Sequence, residues 1–358
     1  MNCENPERPL VSVIIAACDE AEFIEGAVKS VLHQRTNRFD LEVLIINNGS
    51  TDCTPALVAH LAAEDSRVRS LHNEVKSTPA AFNTGIRNAR GEYICILGAH
   101  ALYPPEYISV CLEEMNRHGA VGCSGKILTV PATSSLQAQI CAWAMAHPFC
   151  SSGSSVRTQK AGFVDTIPFP VIHRSAALEV GGYDETLLRN QDNDMNQKLR
   201  ARGYKLFVTD KVECLYFARS TVGGLWQWGF CTGRWNAISL KKNPISLRPR
   251  HMVPLLFVAS LLFLTLVLAG GVAGRSSATT AIAFTLACVA LGGHLVLGSI
   301  AGVQVSVREK SFRGLCLPIV ILGFHLAYGW GTLVGLVTSR EGSRLQVRQR
   351  EVGQSAGS

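Results

Sequence analysis

The segment Gly98-Ala99-His100 follows an apolar run, Tyr93–Leu97, whose composition predicts a buried strand. Ligands of open α/β sheets bind outside the carboxyl ends of the strands, so a polar side chain in this turn is a candidate for chemistry. His100 could ligate a divalent metal, and an imidazole suits Mn²⁺ better than Mg²⁺, which prefers oxygen ligands. The alternative is an ordinary histidine in a turn. The segment therefore predicts either a metal site that includes His100 or a structural turn.

A second polar turn, Asn47–Thr54, follows another candidate strand, Leu41–Ile46. Gly49 lets the backbone approach a ligand closely, and the hydroxyl and carboxylate side chains up to Asp52 can cap the helix that follows. A plain capped turn accounts for the same residues. No glycine-rich loop of the form GxGxxG follows a predicted strand, which argues against a dinucleotide-binding enzyme.

Two carboxylates, Asp192 and Asp194, lie at the start of a predicted helix, Asp192–Arg202. A positioned carboxylate can take the proton of a hydroxyl group and so act as a general base. Residues two apart on a helix point to different sides, so the two carboxylates face different surroundings. Asp192 could instead cap the helix that starts there. Spacing alone does not separate the base from the cap.

Alternating strands and helices must position these segments. The predicted strands are Leu10–Ala16, Leu41–Ile46, Val68–Leu71 and Tyr93–Leu97, and the predicted helices are Glu20–His33, Pro55–Ala63 and Pro79–Ala89. Near-continuous apolar strands that alternate with helices are typical of a parallel sheet covered on both faces. The first part of the chain is therefore predicted to be an α/β domain.

The pattern from Pro104 to Phe217 is less regular. Predicted helices cover Pro105–Arg117, Leu136–Ala146 and Asp192–Arg202, and strand-like pieces cover Val121–Leu128, Phe163–Ile172 and Val212–Phe217. The polar loop Ser151–Gln159 has the composition of a mobile lid or an acceptor-binding loop. A Trp-rich helix, Val222–Leu240, is followed by two lysines and is typical of a membrane–water interface.

The chain has 358 residues, of which 47% are hydrophobic, and a net charge of +7. Its mean hydropathy of +0.18 is high for a purely soluble protein. Three charge-free stretches after Met252 are each long enough to cross a bilayer: Val253–Gly274, Ser276–Val307 and Gly314–Ser339. Buried helices of a soluble domain are the alternative. The stretches hold no Asp, Glu, Lys or Arg to mark an ion path, which argues against a transporter or channel.

Other classes are also disfavoured. No basic run is interleaved with aromatic residues on one predicted face, which argues against nucleic-acid binding. The 12 cysteines show no zinc-site spacing and are expected to be small buried thiols.

Charges around the apolar stretches bear on orientation. The N-terminus lacks the apolar segment of a signal peptide, so the soluble part is expected in the cytoplasm. That orientation puts Arg308, Lys310 and Arg313 inside, as the positive-inside rule prefers. It also puts the tail arginines outside, which the rule does not prefer: Arg340, Arg344, Arg348 and Arg350. Either the rule is broken at the tail, or one stretch is a re-entrant or interfacial helix.

Five segments resemble, in order, the motifs of family 2 glycosyltransferases. They are VSVIIAACDE ending at Glu20, NNGSTD ending at Asp52, AFNTGIRNARG over 81–91, the DxD position at 98–100, and GGYDETLLRNQDNDMNQKLR over 181–200. The resemblance covers about residues 10–240, and the motifs are specific jointly although each alone is weak. The phrases AHALYPPEY, GFVDT and GRW, with the C-terminal apolar region, resemble most the membrane-attached transferases that build exopolysaccharides such as succinoglycan.

The resemblance implies a GT-A domain, a Rossmann-like mixed α/β sheet, over residues 1–245 that ends in the interfacial Trp-rich helix. A membrane domain with about three hydrophobic helices would follow over 246–340, and a basic polar tail over 341–358. The implied activity is that of a hexosyltransferase-type enzyme (EC 2.4), which moves a sugar from a nucleotide donor to a hydroxyl of a lipid-linked saccharide with inversion. The alternative is a catalytically impaired homologue that acts as a binding or scaffold subunit of a polysaccharide assembly complex.

Site residues follow from the same resemblance. It implies Asp192 as the catalytic base, with Asp194 as the nearest alternative, and His100 as the ligand of a divalent metal, Mn²⁺ or Mg²⁺. The other implied residues bind the nucleotide sugar (Ala16, Glu20, Asn48, Asp52, Asn83 and Gly98) or the acceptor or diphosphate (Asp165, Arg234 and Trp235).

Several positions depart from the family pattern. Gly98 replaces the first Asp of DxD, Asn48 stands where the family often has an Asp that bonds the nucleobase, and Asp19 stands where Asn is usual. Cys231 replaces the Gln of the QxxRW motif of processive synthases, which favours addition of a single sugar. The implied partners are a UDP-sugar donor, a lipid-linked acceptor, the membrane and other polysaccharide-assembly proteins, with no nucleic acid. The implied location is the cytoplasmic (inner) membrane, multi-pass, with the catalytic domain facing the cytoplasm.

Overall fold

Four near-continuous apolar runs form the parallel half of a mixed sheet in this computed structural model, which describes residues 8–73, 75–153, 155–244 and 248–338. The strands are β1 (Leu10–Ala17), β2 (Asp40–Asn47), β3 (Val68–His72) and β4 (Tyr93–Gly98), and they pair in the order β3-β2-β1-β4. The inner residues of β1, β2 and β4 are almost fully buried, as both faces are covered, whereas the edge strand β3 is partly exposed. Helices α1 (Ile24–Leu32), α2 (Thr54–Glu64) and α3 (Thr78–Asn88) connect them, which confirms the predicted α/β fold.

Five further strands in the described part of the chain extend the sheet through antiparallel pairs. They are β5 (Ala101–Leu102), β6 (Gly122–Val130), β7 (Gly162–Val164), β8 (Val171–His173) and β9 (Leu206–Phe217). β8 lies antiparallel to β4 and β6, and β5 and β7 lie antiparallel to β9. Helices α4 (Tyr107–His118), α7 (Arg174–Glu179) and α8 (Gln191–Ala201) complete this unit. The mixed sheet is that of a GT-A-like fold.

One predicted strand is wrong as a single element. Phe163–Ile172 is divided into β7 and β8, because Pro168 and Pro170 have no N–H to donate to a ladder. Phe169 between them has φ of 46°, which no strand residue adopts. The break separates β7, which pairs with β9, from β8, which lies between β4 and β6.

Packing divides the chain into two units. Of the described residues, 8–128 and 159–216 belong to the sheet unit, and 129–158 and 217–338 belong to the second unit. The predicted tail over 341–358 and its arginines lie outside the described residues. The predicted boundary between domains at residue 245 stays a prediction.

The described part of the second unit is helical. Its helices are α5 (Leu136–Ala146), α6 (Pro148–Ser151), α9 (Val222–Lys242), α10 (Val253–Ala273), α11 (Ser277–Arg308) and α12 (Leu317–Val337). By length and composition, three helical segments could cross a membrane: Pro249–Ala273, Ser277–Arg308 and Phe312–Val337. Over an apolar stretch of 18 residues, only 6% of the first segment is buried, compared with 44% of the third. The prediction of three C-terminal apolar helices is confirmed.

Helix α9 lies parallel to α12 and touches it along most of its length. The Trp226 indole donates to the carbonyl of Val320 (3.0 Å), and Lys241 Nζ donates to the carbonyl of Leu336 (2.8 Å). Between these ends, a side chain at Gly233 or Gly335 would collide with the backbone of the facing helix. The two helices therefore form one closely packed pair, held by small residues at their interface.

Candidate active site

The carboxyl ends of β1, β2 and β4 meet at one edge of the sheet. β1 lies between the other two, and in its register Ala16 pairs with Gly98 and Ala17 pairs with Asn47. The turns that follow these strands therefore lie side by side. The strand ends and these turns hold most of the residues predicted to bind a nucleotide sugar: Ala16, Glu20, Asn48, Asp52 and Gly98. The structure brings these residues together at the edge where α/β sheets bind ligands.

Two aspartates tie the first of these turns to the second. Asp19 Oδ1 accepts from the backbone N–H of Thr51 (2.6 Å), and Asp52 accepts from the N–H groups of Thr54 (2.9 Å) and Ala21 (3.1 Å). The hydrogen bond from Thr51 lowers the pKa of Asp19, and the hydrogen bonds from Thr54 lower the pKa of Asp52. Asp52 thus bonds the first residue of α2, whose N-cap is Cys53, and also holds the first loop in place. Asp19 remains exposed and negatively charged beside it.

Asn48 is buried rather than open to a ligand. Its side chain is 5% exposed, and its Oδ1 accepts from the N–H of Ser77 (2.9 Å) and from Nδ2 of Asn73 (2.8 Å). These contacts hold the segment that leads into α3. A bond from Asn48 to a nucleobase stays a prediction, and its carbonyl is already engaged by the protein.

His100 faces Glu20 across the turns. The distance from His100 Nδ1 to Glu20 Oε1 is 3.1 Å, and the imidazole lies edge-on to the ring of Tyr216, with centroids 5.3 Å apart. A metal-ligating histidine commonly donates its other ring N–H to a carboxylate, which fixes the ring and leaves Nε2 for the metal. Among the described residues, no group of three His, Cys, Asp or Glu could hold a metal. The residues present fit a metal that takes most of its ligands from a diphosphate and water.

Asp192 is the second residue of α8, whose N-cap is Asn190. The alternative of Asp192 as the helix cap therefore does not hold. Its side chain is open to water, yet the surrounding protein desolvates the carboxylate and raises its pKa to about 6. Within the described residues, no hydrogen bond or ion pair engages this carboxylate. A reachable carboxylate of raised pKa and without a protein partner has the properties of a general base.

The neighbouring carboxylate has different surroundings. Asp194 is 4% exposed, and its Oδ2 lies 3.0 Å from Nζ of Lys198, one turn further along the helix. A buried carboxylate in an ion pair holds its helix in place and is poorly placed to receive a proton from a substrate. The geometry supports Asp192 over Asp194 as the base.

Asn83 links α3 to the loop that leads to Asp192. Its Nδ2 donates to the carbonyl of Tyr183 and to Glu185 Oε1 (both 2.9 Å), and its Oδ1 accepts from the N–H of Tyr183 (2.8 Å). Gly182 has φ of 66°, and a side chain there would lie 2.5 Å from Oδ1 of Asn83. The charge of Asp192 adds to the effect of burial in raising the pKa of Tyr183, so these two side chains are neighbours. Asn83, predicted to bind the nucleotide sugar, positions the segment that carries Asp192.

One face of α8 lies against the segment Asp165-Thr166. Arg200 pairs with Asp165 (3.2 Å), and Asn196 Nδ2 donates to Thr166 Oγ1 (2.9 Å). Asp192, Asn196 and Arg200 are four residues apart in turn, so they lie on the same face of the helix. Asp165, predicted to bind the acceptor or diphosphate, is therefore on the side of α8 that carries Asp192.

Two predicted residues belong to the second unit. Arg234 and Trp235 lie on α9 and are half-buried. The carbonyl of Arg234 faces Gly335 of α12 at the closely packed interface. Their predicted role toward an acceptor or diphosphate stays a prediction.

Two features of the site are not predicted by the sequence. The Glu20–His100 pair joins residues 80 positions apart, and no spacing rule connects them. Phe169, whose ring lies against Gly98, is marked in the sequence only by the prolines on either side.

Comparisons with known proteins agree with this geometry. Residues 12–166 match the family described as "Glycosyl transferase family 2". The succinoglycan biosynthesis protein ExoA of Rhizobium meliloti is 29% identical over 323 residues, covering 89% of this chain and 92% of that protein. A dolichyl N-acetyl-α-D-glucosaminyl phosphate 3-β-D-2,3-diacetamido-2,3-dideoxy-β-D-glucuronosyltransferase of Methanococcus voltae is 25% identical over 91% of this chain and 97% of its own.

A solved structure shows the same fold. The mannosyltransferase PcManGT from Pyrobaculum calidifontis, in complex with GDP-Man and Mn²⁺, superposes with a TM-score of 0.58 at 19% identity. The match covers 94% of this chain and 89% of that one.

Proposed function

Since this chain carries a glycosyl transferase family 2 domain of the GT-A fold and is a glycosyltransferase (EC 2.4), we propose that it moves a sugar from a nucleotide-sugar donor to a hydroxyl of a lipid-linked saccharide, with inversion. The observation that carries the proposal is the carboxylate of Asp192, which is open to water, raised in pKa and without a protein partner in the described part of the chain. The R. meliloti relative supports a role in exopolysaccharide synthesis. The name of the M. voltae relative includes a dolichyl-phosphate-linked sugar, which supports a lipid-linked acceptor.

The chemistry assigned to Asp192 is a single proton transfer. The acceptor oxygen forms a bond to the anomeric carbon while the bond from that carbon to the donor phosphate breaks, and the hydroxyl proton passes to Asp192. A base with pKa of about 6 is mostly ionised at neutral pH and is still basic enough to accept this proton. A single displacement inverts the configuration at the anomeric carbon.

The turns after β1, β2 and β4 are proposed to bind the nucleoside diphosphate. The donor proposed from the family resemblance is a UDP-sugar, and GDP-mannose is the second donor to test because PcManGT binds it. His100, oriented by Glu20, and Glu20 itself would hold a divalent metal beside the diphosphate. When bound, such an ion neutralises the charge that develops on the leaving group.

Transfer and its stereochemistry test the proposal directly. Purified full-length protein is incubated with each donor and a membrane extract that contains lipid-linked saccharides, and the product is analysed by NMR. We expect one sugar to be added, with the anomeric configuration opposite to that of the donor. Retention of the donor's anomeric configuration contradicts a single displacement with Asp192 as the base. Donor binding without transfer supports the scaffold alternative.

The Glu20–His100 pair makes a prediction about the metal. Glu20→Gln removes the carboxylate that orients the imidazole, and we expect the Mn²⁺ concentration for half-maximal transfer to rise about tenfold. Binding of Mn²⁺ followed by electron paramagnetic resonance, with donor diphosphate present, should show the same loss. His60→Gln changes an exposed histidine of α2 that pairs with Glu64, and serves as control. An unchanged Mn²⁺ dependence in Glu20→Gln contradicts a metal site that uses Glu20 and the imidazole of His100.

We further propose that the second unit attaches the enzyme to a membrane through α10 and α11. These helices expose large apolar side chains, among them Phe263 (63%), Leu266 (71%) and Val289 (65%). Exposed apolar faces of this extent are typical of lipid contact. Contacts at Gly271–Thr280 and Phe257–His294 show that α10 and α11 form an antiparallel hairpin.

The position of α9 beside α12 argues against α12 as a third membrane-spanning helix. Contacts at Gly298–Pro318 and His294–His325 make α11 antiparallel to α12, so α10, α12 and α9 all run in one direction. If α9 and α10 both crossed in the same direction, the connection over 243–252, which carries basic residues, would have to return through about 30 Å of hydrocarbon. If α10 crosses, α9 should therefore stay outside the hydrocarbon, and we propose the same for α12, which lies beside it.

Reporter fusions test this arrangement in a bacterial host. Alkaline phosphatase joined after Arg275, between α10 and α11, is expected to be active because this turn would lie outside. Fusion after Thr338 is expected to be inactive, since both ends of an α10–α11 hairpin lie inside, where the arginine tail satisfies the positive-inside rule. Fusion after Lys310 is the inside control. Activity after Thr338 would show that α12 crosses.

A further inference from the structure

Phe169 has a backbone conformation that bulky residues rarely adopt. It lies between Pro168 and Pro170 with φ of 46°, and positive φ is uncommon for any residue with a side chain. Two hydrogen bonds hold it: the Tyr107 hydroxyl donates to the carbonyl of Phe169 (2.8 Å), and the N–H of Ile96 donates to the carbonyl of Pro170 (3.0 Å). Residues held in such conformations cluster at functional sites.

The ring of Phe169 occupies the space into which a side chain at position 98 would project. A Cβ at Gly98 would lie 2.9 Å from Cε1 of Phe169, closer than real carbon contacts allow. The ring is also packed edge-on against Tyr103, with centroids 5.7 Å apart, and the Tyr103 hydroxyl accepts from the N–H of Gly98 (2.8 Å). Gly98 is thus matched to a bulky neighbour.

Phe169 continues an aromatic surface at the end of β4. Its ring lies 6.3 Å from that of Tyr216, which in turn contacts His100, and all three side chains are partly exposed. Gly98 pairs with Ala16 of β1, so this surface borders the turns proposed to bind the donor. No carboxylate projects at position 98, and an apolar ring lies there instead.

We propose that the ring of Phe169 forms the floor of the donor site and supports the apolar C–H face of a sugar ring, and that Gly98 is required because it makes room for Phe169. This inference rests on the proposed function, since the ligand is a nucleotide sugar. The supported ring is either the ribose or the transferred sugar, which share this chemistry. Aromatic side chains offer a large rigid face for such contact. Phe169 is accordingly a positioning and specificity-determining residue, and Gly98 is a steric adaptation.

Binding measurements on the full-length protein test the contact. Dissociation constants for UDP, UDP-glucose, GDP and GDP-mannose are measured by calorimetry for the parent, Phe169→Leu and Phe163→Leu. Phe163 is an exposed aromatic residue of β7 outside the site and serves as control. For the nucleotide sugar that the parent binds, we expect Phe169→Leu to raise the dissociation constant by roughly three- to tenfold. A loss shared by the nucleoside diphosphate assigns the ribose, and a loss confined to the nucleotide sugar assigns the transferred sugar.

The outcomes separate this inference from the proposed function. Binding by the parent that is unchanged in Phe169→Leu overturns the inference alone. Failure of the parent to bind any of the four nucleotides contradicts the proposed function and, with it, the sugar contact.

A thermal-unfolding cycle tests the steric pair without any ligand. Gly98→Ala in the parent should lower the unfolding midpoint by several degrees, because the added methyl group meets the Phe169 ring. In the Phe169→Ala background the same change should cost less than half as much, since the ring is gone. An equal drop in the unfolding midpoint in both backgrounds would contradict the steric match between Gly98 and Phe169.

Discussion

Asp192→Asn is expected to lower kcat for sugar transfer by about 10²–10⁴-fold, the range that a positioned general base contributes. Asparagine has nearly the same shape but cannot take up a proton at neutral pH. Binding of the nucleotide sugar should change little, because the proposed donor site lies on the turns after β1, β2 and β4. Initial rates at saturating donor, together with calorimetric dissociation constants, separate the two effects.

The pH dependence gives a second signature of this base. Asp192 must be ionised to accept the proton, and desolvation raises its pKa to about 6. Transfer by the parent should therefore rise as pH increases through about 6 and level off above 7. The residual activity of Asp192→Asn should lack this rise. A flat parent profile between pH 5 and 7 would contradict the role of Asp192.

Stability supplies a readout that is independent of chemistry. The folded-state pKa of Asp192 lies above its ordinary value of 3.8, so the folded state favours the protonated form. The destabilising contribution of the ionised carboxylate consequently reaches its full size above about pH 6, and it disappears as pH falls toward 4. Asp192→Asn should be slightly more stable than the parent at pH 7 to 8 and equal to it near pH 4. Asp210→Asn, which changes an exposed carboxylate of β9, is the matched control.

Asn83→Ala is expected to destabilise the sheet unit by about 3 kcal/mol, because it leaves the buried N–H and carbonyl of Tyr183 without partners. The same change releases the loop that leads to α8. We therefore expect kcat to fall together with the unfolding midpoint, although Asn83 does not touch the reacting atoms. Thermal unfolding and single-turnover transfer measure the two effects.

A control variant is available on the same helix. Asn88 is exposed, and its side chain donates to the carbonyl of Thr84 within α3, so Asn88→Ala should change neither quantity appreciably. If Asn83→Ala left stability intact and weakened only nucleotide binding, Asn83 would be a ligand residue, as the family resemblance implies. Loss of both stability and kcat would identify it as a positioning residue.

Much of the fold could be read from local patterns. Strands such as Tyr93–Leu97 are near-continuous apolar runs, and their burial in the core requires only that they be covered on both faces. The helix that carries Asp192 was predicted to within a residue, from Asp192–Arg202 to Gln191–Ala201. The polar turns after β2 and β4 were predicted as candidate ligand sites, because ligands bind outside the carboxyl ends of the strands in such sheets.

Side-chain partners across long separations could not be read in this way. Asn48 and Asn83 are the same residue type and have the same predicted role. In the structure, however, Asn48 is buried against Ser77, whereas Asn83 binds the backbone of Tyr183. Nothing near either residue in the sequence distinguishes these surroundings. The place of the Phe169 ring, against Gly98, likewise depends on a residue about 70 positions earlier.

By itself, then, the sequence determined the α/β sheet, the apolar C-terminal helices and the order of motifs, since these depend on hydrophobic period and turn chemistry within short windows. Only the tertiary structure decided which carboxylate is reachable and desolvated, how Glu20 meets His100, and why residue 98 is glycine. These properties arise from atoms brought together by packing, so they depend on neighbours that are distant along the chain. Gly98 illustrates the difference: it stands in the sequence as a missing aspartate, and in the fold it leaves room for Phe169.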